Sequence, residues 1–306
     1  MNLGKTIIRG KKIKPINVLL HGTHGIGKST WPSKAPNPIY IGSEENDELD
    51  VARFPKIEKW EDLEKQLDYL VTSKHEFKTV VIDTIDSLEQ IASKIILSGK
   101  NADKNMNTAM GGYGAGNKEL AKMFQRIRDN YLIPLRDVKK MNIVLLAHTE
   151  KVKFEDPITV TSSDKYETAI QNRVKSIFED WVSTILFVNY ELVRAESSSG
   201  KEYAEGDGER VVYTQERPSH VAKNRFNLPE ELPLDWTVFA SGVKKFYKDV
   251  KEGKIKEKSE ETSHADELLK KLPEEMQEKF KVSIARAKGS EAELNKIIKR
   301  MEVLLK

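Results

Sequence analysis

Cysteine is absent from the 306 residues, which removes disulfides, iron–sulfur clusters, thiolate zinc sites and a cysteine nucleophile in one step. Long apolar runs are missing too. The longest, at 16–20, 143–147 and 181–188, are strand-length, well short of the roughly 18–20 residues a membrane span requires. The basic N-terminus MNLGKTIIRGKKIK lacks the apolar segment of a secretion signal. A surplus of one charge sign is the third absence. The chain has 51 Lys plus Arg against 48 Asp plus Glu, a net charge of +3. A histone-like polycation is therefore excluded, and any nucleic-acid contact has to be a local patch. These absences lead us to expect a cytoplasmic protein without membrane contact.

What the chain does have is 38% hydrophobic and 32% charged residues, enough for a core under a charged surface. Apolar runs at 16–21, 38–42, 79–83, 142–148 and 184–190 alternate with stretches at 60–73, 87–97 and 118–140 whose apolar residues fall three and four apart. Several runs are apolar at consecutive positions, as in strands covered on both faces. The expected fold is α/β, with a mostly parallel sheet flanked by helices. Later, 193–195 and 210–215 flank the polar stretch SSSGKEYAEGDGE and suggest an antiparallel hairpin. From about 243 the chain is rich in Lys and Glu with helical patterns. The expected organisation is a basic arm at 1–14, a core at 15–242 and a small charged helical extension at 243–306. Two long polar connections, 99–116 and 149–172, are read as loops, which at that length are usually functional or disordered.

The strongest motif is Gly22-Thr23-His24-Gly25-Ile26-Gly27-Lys28-Ser29. It matches G-x-x-x-x-G-K-[ST] in full, after an apolar strand and before an expected helix start near Lys28. Glycines allow backbone angles that aim successive N–H groups into one concavity, and a helix N-terminus adds its positive end. Lys28 is expected to neutralise the β- and γ-phosphates of ATP, Ser29 to ligate Mg²⁺, and Thr30 to touch the α-phosphate. Pro32, Pro36 and Pro38 leave the following helix only about two turns. The run Thr79-Val80-Val81-Ile82-Asp83 is a Walker B pattern, with Asp83 placed to hold Mg²⁺, usually through water. Asp86 is assigned to capping the next helix. In one common arrangement a water-activating carboxylate directly follows such an aspartate, but Thr84 stands there. Instead, PIYIGSEE ends a strand in carboxylates, so Glu44 is the candidate general base, with Glu45 in reserve.

Taken in order, GTHGIGKST, PIYIGSEEN, KWEDLEKQLDYL, TVVIDTIDSLE, GGYGAG, NIVLLAHTEK and HVAKNRFNLP resemble the RecA-like recombinase core over about 15–240. The likeness is closer still to phage-encoded nucleotide-binding proteins of the Sak type, which act in single-strand annealing and recombination. The resemblance implies a RecA-like P-loop NTPase fold and an ATP- and Mg²⁺-dependent, DNA-stimulated ATPase. It implies that His148, where the bacterial recombinase carries Gln, senses the γ-phosphate, and that Lys223 and Arg225 reach a neighbouring subunit's nucleotide. It also places single-stranded DNA contacts on the two long loops, through Lys100, Lys104, Tyr113, Lys151, Lys153, Arg173 and Lys175. The implied partners are single-stranded DNA, a single-strand-binding protein and further copies of the chain in a filament or ring. Two other classes stay open at this point: a remodelling ATPase or helicase loader acting on protein, and a nucleotide-gated binding module with little hydrolysis.

Overall fold

A computed structural model describes residues 12–44, 47–98, 105–155, 162–191, 193–196, 202–205 and 208–252. In the last part of the chain it describes 268–269, 271–273, 276–277, 280–281, 283 and 291–304. The chain divides into two compact units, Met1–Lys244 and Lys245–Lys306.

The first unit is built on one sheet. Its strands are β1 (Asn17–Gly22), β2 (Pro38–Gly42), β3 (Ala52–Arg53), β4 (Thr79–Asp83), β5 (Asn142–Glu155), β6 (Ser162–Thr168) and β7 (Thr184–Tyr190). The central order is β7-β1-β5-β4-β2-β3, all neighbours parallel. β1 and β4 are buried along their whole length, which is why their sequences run apolar without alternation. Because β5 lies between β1 and β4, three successive strand ends meet at the carboxyl edge of the sheet. The register sets Gly42 opposite Asp83, Asp83 opposite Leu146, and Gly22 opposite His148.

Helices α1 (Trp60–Thr72), α2 (Ile85–Leu97), α3 (Ala115–Ile127), α4 (Ile133–Asp137) and α5 (Asn172–Trp181) supply the covering layer. α1 buries Trp60, Leu63, Leu67 and Leu70, and α2 buries Ile85, Leu88, Ala92 and Ile96, stripes at helical spacing. Trp60, Phe124 and Phe178 meet edge to face at 5.2 and 5.8 Å, tying α1, α3 and α5 together. The stretch 118–140, read as one helix, is interrupted by a π-helical turn, Arg128–Leu132. Pro134 lacks the N–H that would continue the ladder, which accounts for the break.

Two further expectations are corrected. Residues 193–196 (β8) pair with 202–205 (β9), while 210–213 (β10) pairs antiparallel with β7 and with Glu231–Pro233 (β12). The expected hairpin is thus two separate pairings, and β10 extends the main sheet. A short β11 (Lys223–Asn224) also pairs with β7. The connection 149–172 is largely a β-arm rather than a loop, since β5 runs on to Glu155 and returns as β6.

His21, on β1, is fully buried. Val221 O can only accept, so Nε2–H donates to it at 2.9 Å, and Nδ1 accepts from the Thr149 hydroxyl at 2.9 Å. Burial lowers its pKa to about 4. The folded protein therefore holds fewer protons than the unfolded chain between pH 6.5 and 4, and stability falls as pH drops through that window. The loss should grow to roughly 3 kcal/mol by pH 4. Urea melts of wild type and His21→Gln from pH 7.5 to 4 check this. A wild-type–variant stability difference that does not change with pH refutes it.

Helix α6 (Trp236–Lys251) closes the sequence of the core, with Trp236 and Phe239 packed on Trp31 at 4.9 and 5.2 Å. In the second unit Leu268, Leu269, Leu272, Ile298 and Met301 form a small cluster, the last two on α7 (Glu291–Leu304). Among the described residues no helix is long and apolar enough to cross a membrane.

Candidate nucleotide site

The phosphate loop joins β1 to a tight turn. Gly22 has no room for a side chain: a Cβ would lie 2.5 Å from Val188 Cγ1. Gly25 and Gly27 have φ of +72° and +98°, conformations glycine adopts without strain. The helix expected after the loop is not there. Residues 28–30 form turns, and only a four-residue 3-10 segment, Trp31–Lys34, follows. The prolines anticipated a short helix; the structure goes further, so the helix-end contribution to anion binding is small.

Lys28 is buried, and its ammonium donates to Thr23 O at 2.8 Å, inside its own loop. Burial lowers its pKa, against the pull of the Glu44, Asp83 and Asp86 carboxylates. Ser29 is half-buried and Thr30 exposed. The backbone at Ser29 is fixed by Tyr40, whose hydroxyl donates to Ser29 O at 2.8 Å.

Asp83 is buried at the end of β4, and the Asp83–Thr84 peptide is cis. Gly42 faces it so closely that a Cβ there would stand 1.8 Å from Asp83 O. Two residues further on, Glu44 accepts from the Thr84 hydroxyl at 3.3 Å, and His148 Nε2 lies 3.9 Å from the same carboxylate oxygen. Glu45 is outside the described residues. Thr84 also caps α2, accepting from Ser87 N. The capping assignment for Asp86 is therefore corrected. Asp86 instead accepts from the His148 amide at 2.9 Å and from the His148 ring Nδ1 at 2.7 Å. Burial works to raise the Asp86 carboxyl, but the hydrogen bonds and attraction from His148, together with a hydrogen bond from Thr84, outweigh it, and its pKa is lowered. With Nδ1–H given to Asp86, the Nε2 side of the ring faces Glu44. His24, at the loop tip, stacks on His148 with centroids 3.6 Å apart.

The groups expected to hold magnesium, the Ser29 hydroxyl and the Asp83 carboxylate, are hard oxygen donors, the type this ion takes. No cluster of three or more acidic or histidine side chains arranged to hold a metal occurs among the described residues. The residues fit.

The profile of the AAA domain family matches residues 14–226, which spans the phosphate loop, Glu44, Asp83, His148 and β10. The chain belongs to the AAA domain family. No curated protein matches it in sequence. The AAA domain and the mostly parallel α/β sheet together place this chain in an AAA-type P-loop ATPase family, a nucleotide-binding fold.

The remaining expected residues of this AAA chain are placed as follows. Lys100 and Lys104 lie outside the described residues. Tyr113 is fully exposed, at 101%, within five consecutive residues, Met110 to Gly114, that all have positive φ. Lys151 and Lys153 are exposed on the β5 arm, Lys151 beside Asp164 at 3.8 Å. Arg173 is exposed near the start of α5. Lys175 is a correction: it is buried and paired with Glu167 at 2.9 Å, so it offers no surface charge to DNA. Lys223 is a second correction. Its ammonium donates to Glu179 O at 2.6 Å and Asp180 O at 3.2 Å, capping the end of α5 in its own chain. β11 pairs with the first residues of β7, about 13 Å along the strands from Gly22. Arg225 is exposed there, away from its own chain's phosphate loop.

Sequence reasoning missed four contacts: Thr84 on Glu44, Asp86 on His148, the His24–His148 stack, and Arg210. The last reaches the loop from β10 and donates to Ile26 O at 3.2 Å.

Proposed function

We propose that this chain is a Mg²⁺-dependent ATPase whose turnover is raised by single-stranded DNA. It acts in recombination or annealing of phage DNA as a filament or ring of its own copies, alongside a single-strand-binding protein. In this reading Lys28 and the loop amides hold the triphosphate, and Ser29 and Asp83 hold the ion, which offsets phosphate charge. Glu44 takes a proton from a water molecule as that water attacks the γ-phosphorus. The bond to the β–γ bridging oxygen breaks, and ADP and phosphate leave. His148, its ring fixed by Asp86, senses the γ-phosphate from its Nε2 side.

One observation carries the DNA part. β5 runs without interruption from His148 at the nucleotide site into the arm that exposes Lys151 and Lys153. A strand pulled by the γ-phosphate at one end moves cations at the other. The fully exposed Tyr113 supports the same reading, since an aromatic face stacks on any base. Partial neutralisation of the arm favours a second reading, a loader acting on a protein partner: Lys151 lies near Asp164, and Lys165 near Glu216 at 3.2 Å.

ATP hydrolysis with and without single-stranded DNA, across salt concentration, separates the two. We expect several-fold stimulation that fades steeply as salt rises. Turnover indifferent to DNA at low salt overturns the DNA reading in favour of the loader.

A further inference from the structure

The nucleotide site as described is poor in positive charge. Lys28 faces three carboxylates, Glu44, Asp83 and Asp86, and its ammonium is bonded to a carbonyl of its own loop. The loop also lacks the α-helix whose positive end commonly assists a phosphate site, because only the four residues Trp31–Lys34 are helical and in 3-10 form. A polyanion entering this loop meets fewer fixed positive groups than the motif alone suggests.

A second cation stands at the loop, and it comes from a distant part of the same chain. Arg210 opens β10, level with Tyr190 near the carboxyl end of β7, the edge at which the phosphate loop lies. Its Nη1 donates to Ile26 O at 3.2 Å. The guanidinium lies against Gly27: a Cβ built there would meet Nη1 at 2.6 Å and Leu234 Cδ2 at 3.3 Å. Gly27 thus matters in two ways, for its φ of +98° and for the space it leaves to an arginine. One hydrogen bond uses one of the five N–H groups a guanidinium carries. A guanidinium matches phosphate oxygens in pairs.

We propose that Arg210 is a second phosphate-binding cation of the nucleotide site, supplied in cis. It holds the α- or β-phosphate of a nucleoside di- or triphosphate while Lys28 holds the β- and γ-phosphates. This rests on the loop being a nucleotide site. Arg210 stands where the missing helix end would have contributed, and its residue type suits an anion rather than a base or a sugar. Because it touches the loop at Gly27 rather than near Glu44 or His148, its effect falls on binding and not on the hydrolytic step. It also falls on ADP as much as on ATP.

The test is equilibrium binding of fluorescent ADP and a slowly hydrolysed ATP analogue to the full chain, for wild type, Arg210→Gln and Arg210→Lys, with Lys28→Ala as control. Gln keeps an amide donor for Ile26 O and removes the charge. We expect Arg210→Gln to weaken both nucleotides about ten-fold and to flatten the salt dependence of binding. Arg210→Lys should recover part of the affinity. The melting temperature without nucleotide should stay near wild type. Wild-type affinity for both nucleotides in Arg210→Gln overturns the inference. So does weakened affinity with an unchanged salt dependence, because a brace for the loop would act that way. Should wild type and Lys28→Ala both fail to bind, the nucleotide site itself is wrong, an outcome distinct from failure at Arg210.

Discussion

Replacing Lys28 by alanine is expected to lower ATP hydrolysis by roughly 10²–10³-fold or more, the scale at which one preorganised charge donor acts in an enclosed site. The argument is electrostatic. The ammonium is buried in the loop and is the counter-charge to Glu44, Asp83 and Asp86. Without it, a triphosphate approaches three carboxylates with only the loop amides and Arg210 to hold it. Binding should suffer as well as turnover, and an added anion should no longer stabilise the protein thermally. The measurement is steady-state phosphate release together with a thermal shift by ADP. Wild-type turnover in Lys28→Ala would remove the loop from the mechanism.

Glu44→Gln should behave differently. Glutamine keeps an oxygen to accept from Thr84, as Glu44 Oε1 does at 3.3 Å, so the local structure holds. What it cannot do is take a proton from water. Turnover should fall by roughly 10²–10⁴-fold, with nucleotide affinity within about three-fold of wild type. Single-turnover hydrolysis and equilibrium binding, measured on the same preparation, give both numbers. Unchanged turnover would move the base elsewhere. If wild type itself binds ATP tightly yet scarcely hydrolyses it, the chain is a nucleotide-gated binding module and Glu44 has no proton to take.

How much of this is legible in the sequence depends on how local each requirement is. The phosphate loop needs glycines at fixed offsets between a strand and a lysine, and every part of that condition lies within eight residues. The buried strands announce themselves because a strand covered on both faces is apolar throughout, as β1 and β4 are. Helix faces follow from spacing alone. Charge is where the text of the chain misleads. Lys175 and Lys151 look alike in sequence, yet one is enclosed by Glu167 and the packing of α5 while the other is exposed. Which side of an element a lysine takes is settled by partners far away in the chain. The same holds for Lys223, which looks like a basic surface strand until the end of α5 is brought to it. The β5–β6 arm reads as a loop because few of its residues are apolar and no core face marks its period. Arg210 carries no local sign of its role, being 184 residues from the carbonyl it touches.

The contact between Gly42 and Asp83 sets how the molecule is able to respond to a nucleotide. With the two backbones touching at the ends of adjacent strands, Asp83 and the proposed base Glu44, two residues past Gly42, are indexed to one another like teeth on one gear. Neither advances alone. Across the cleft an exposed imidazole from the loop tip lies flat on the one anchored to Asp86, a contact made between side chains, and that is where we expect a mechanical response to the terminal phosphate to begin.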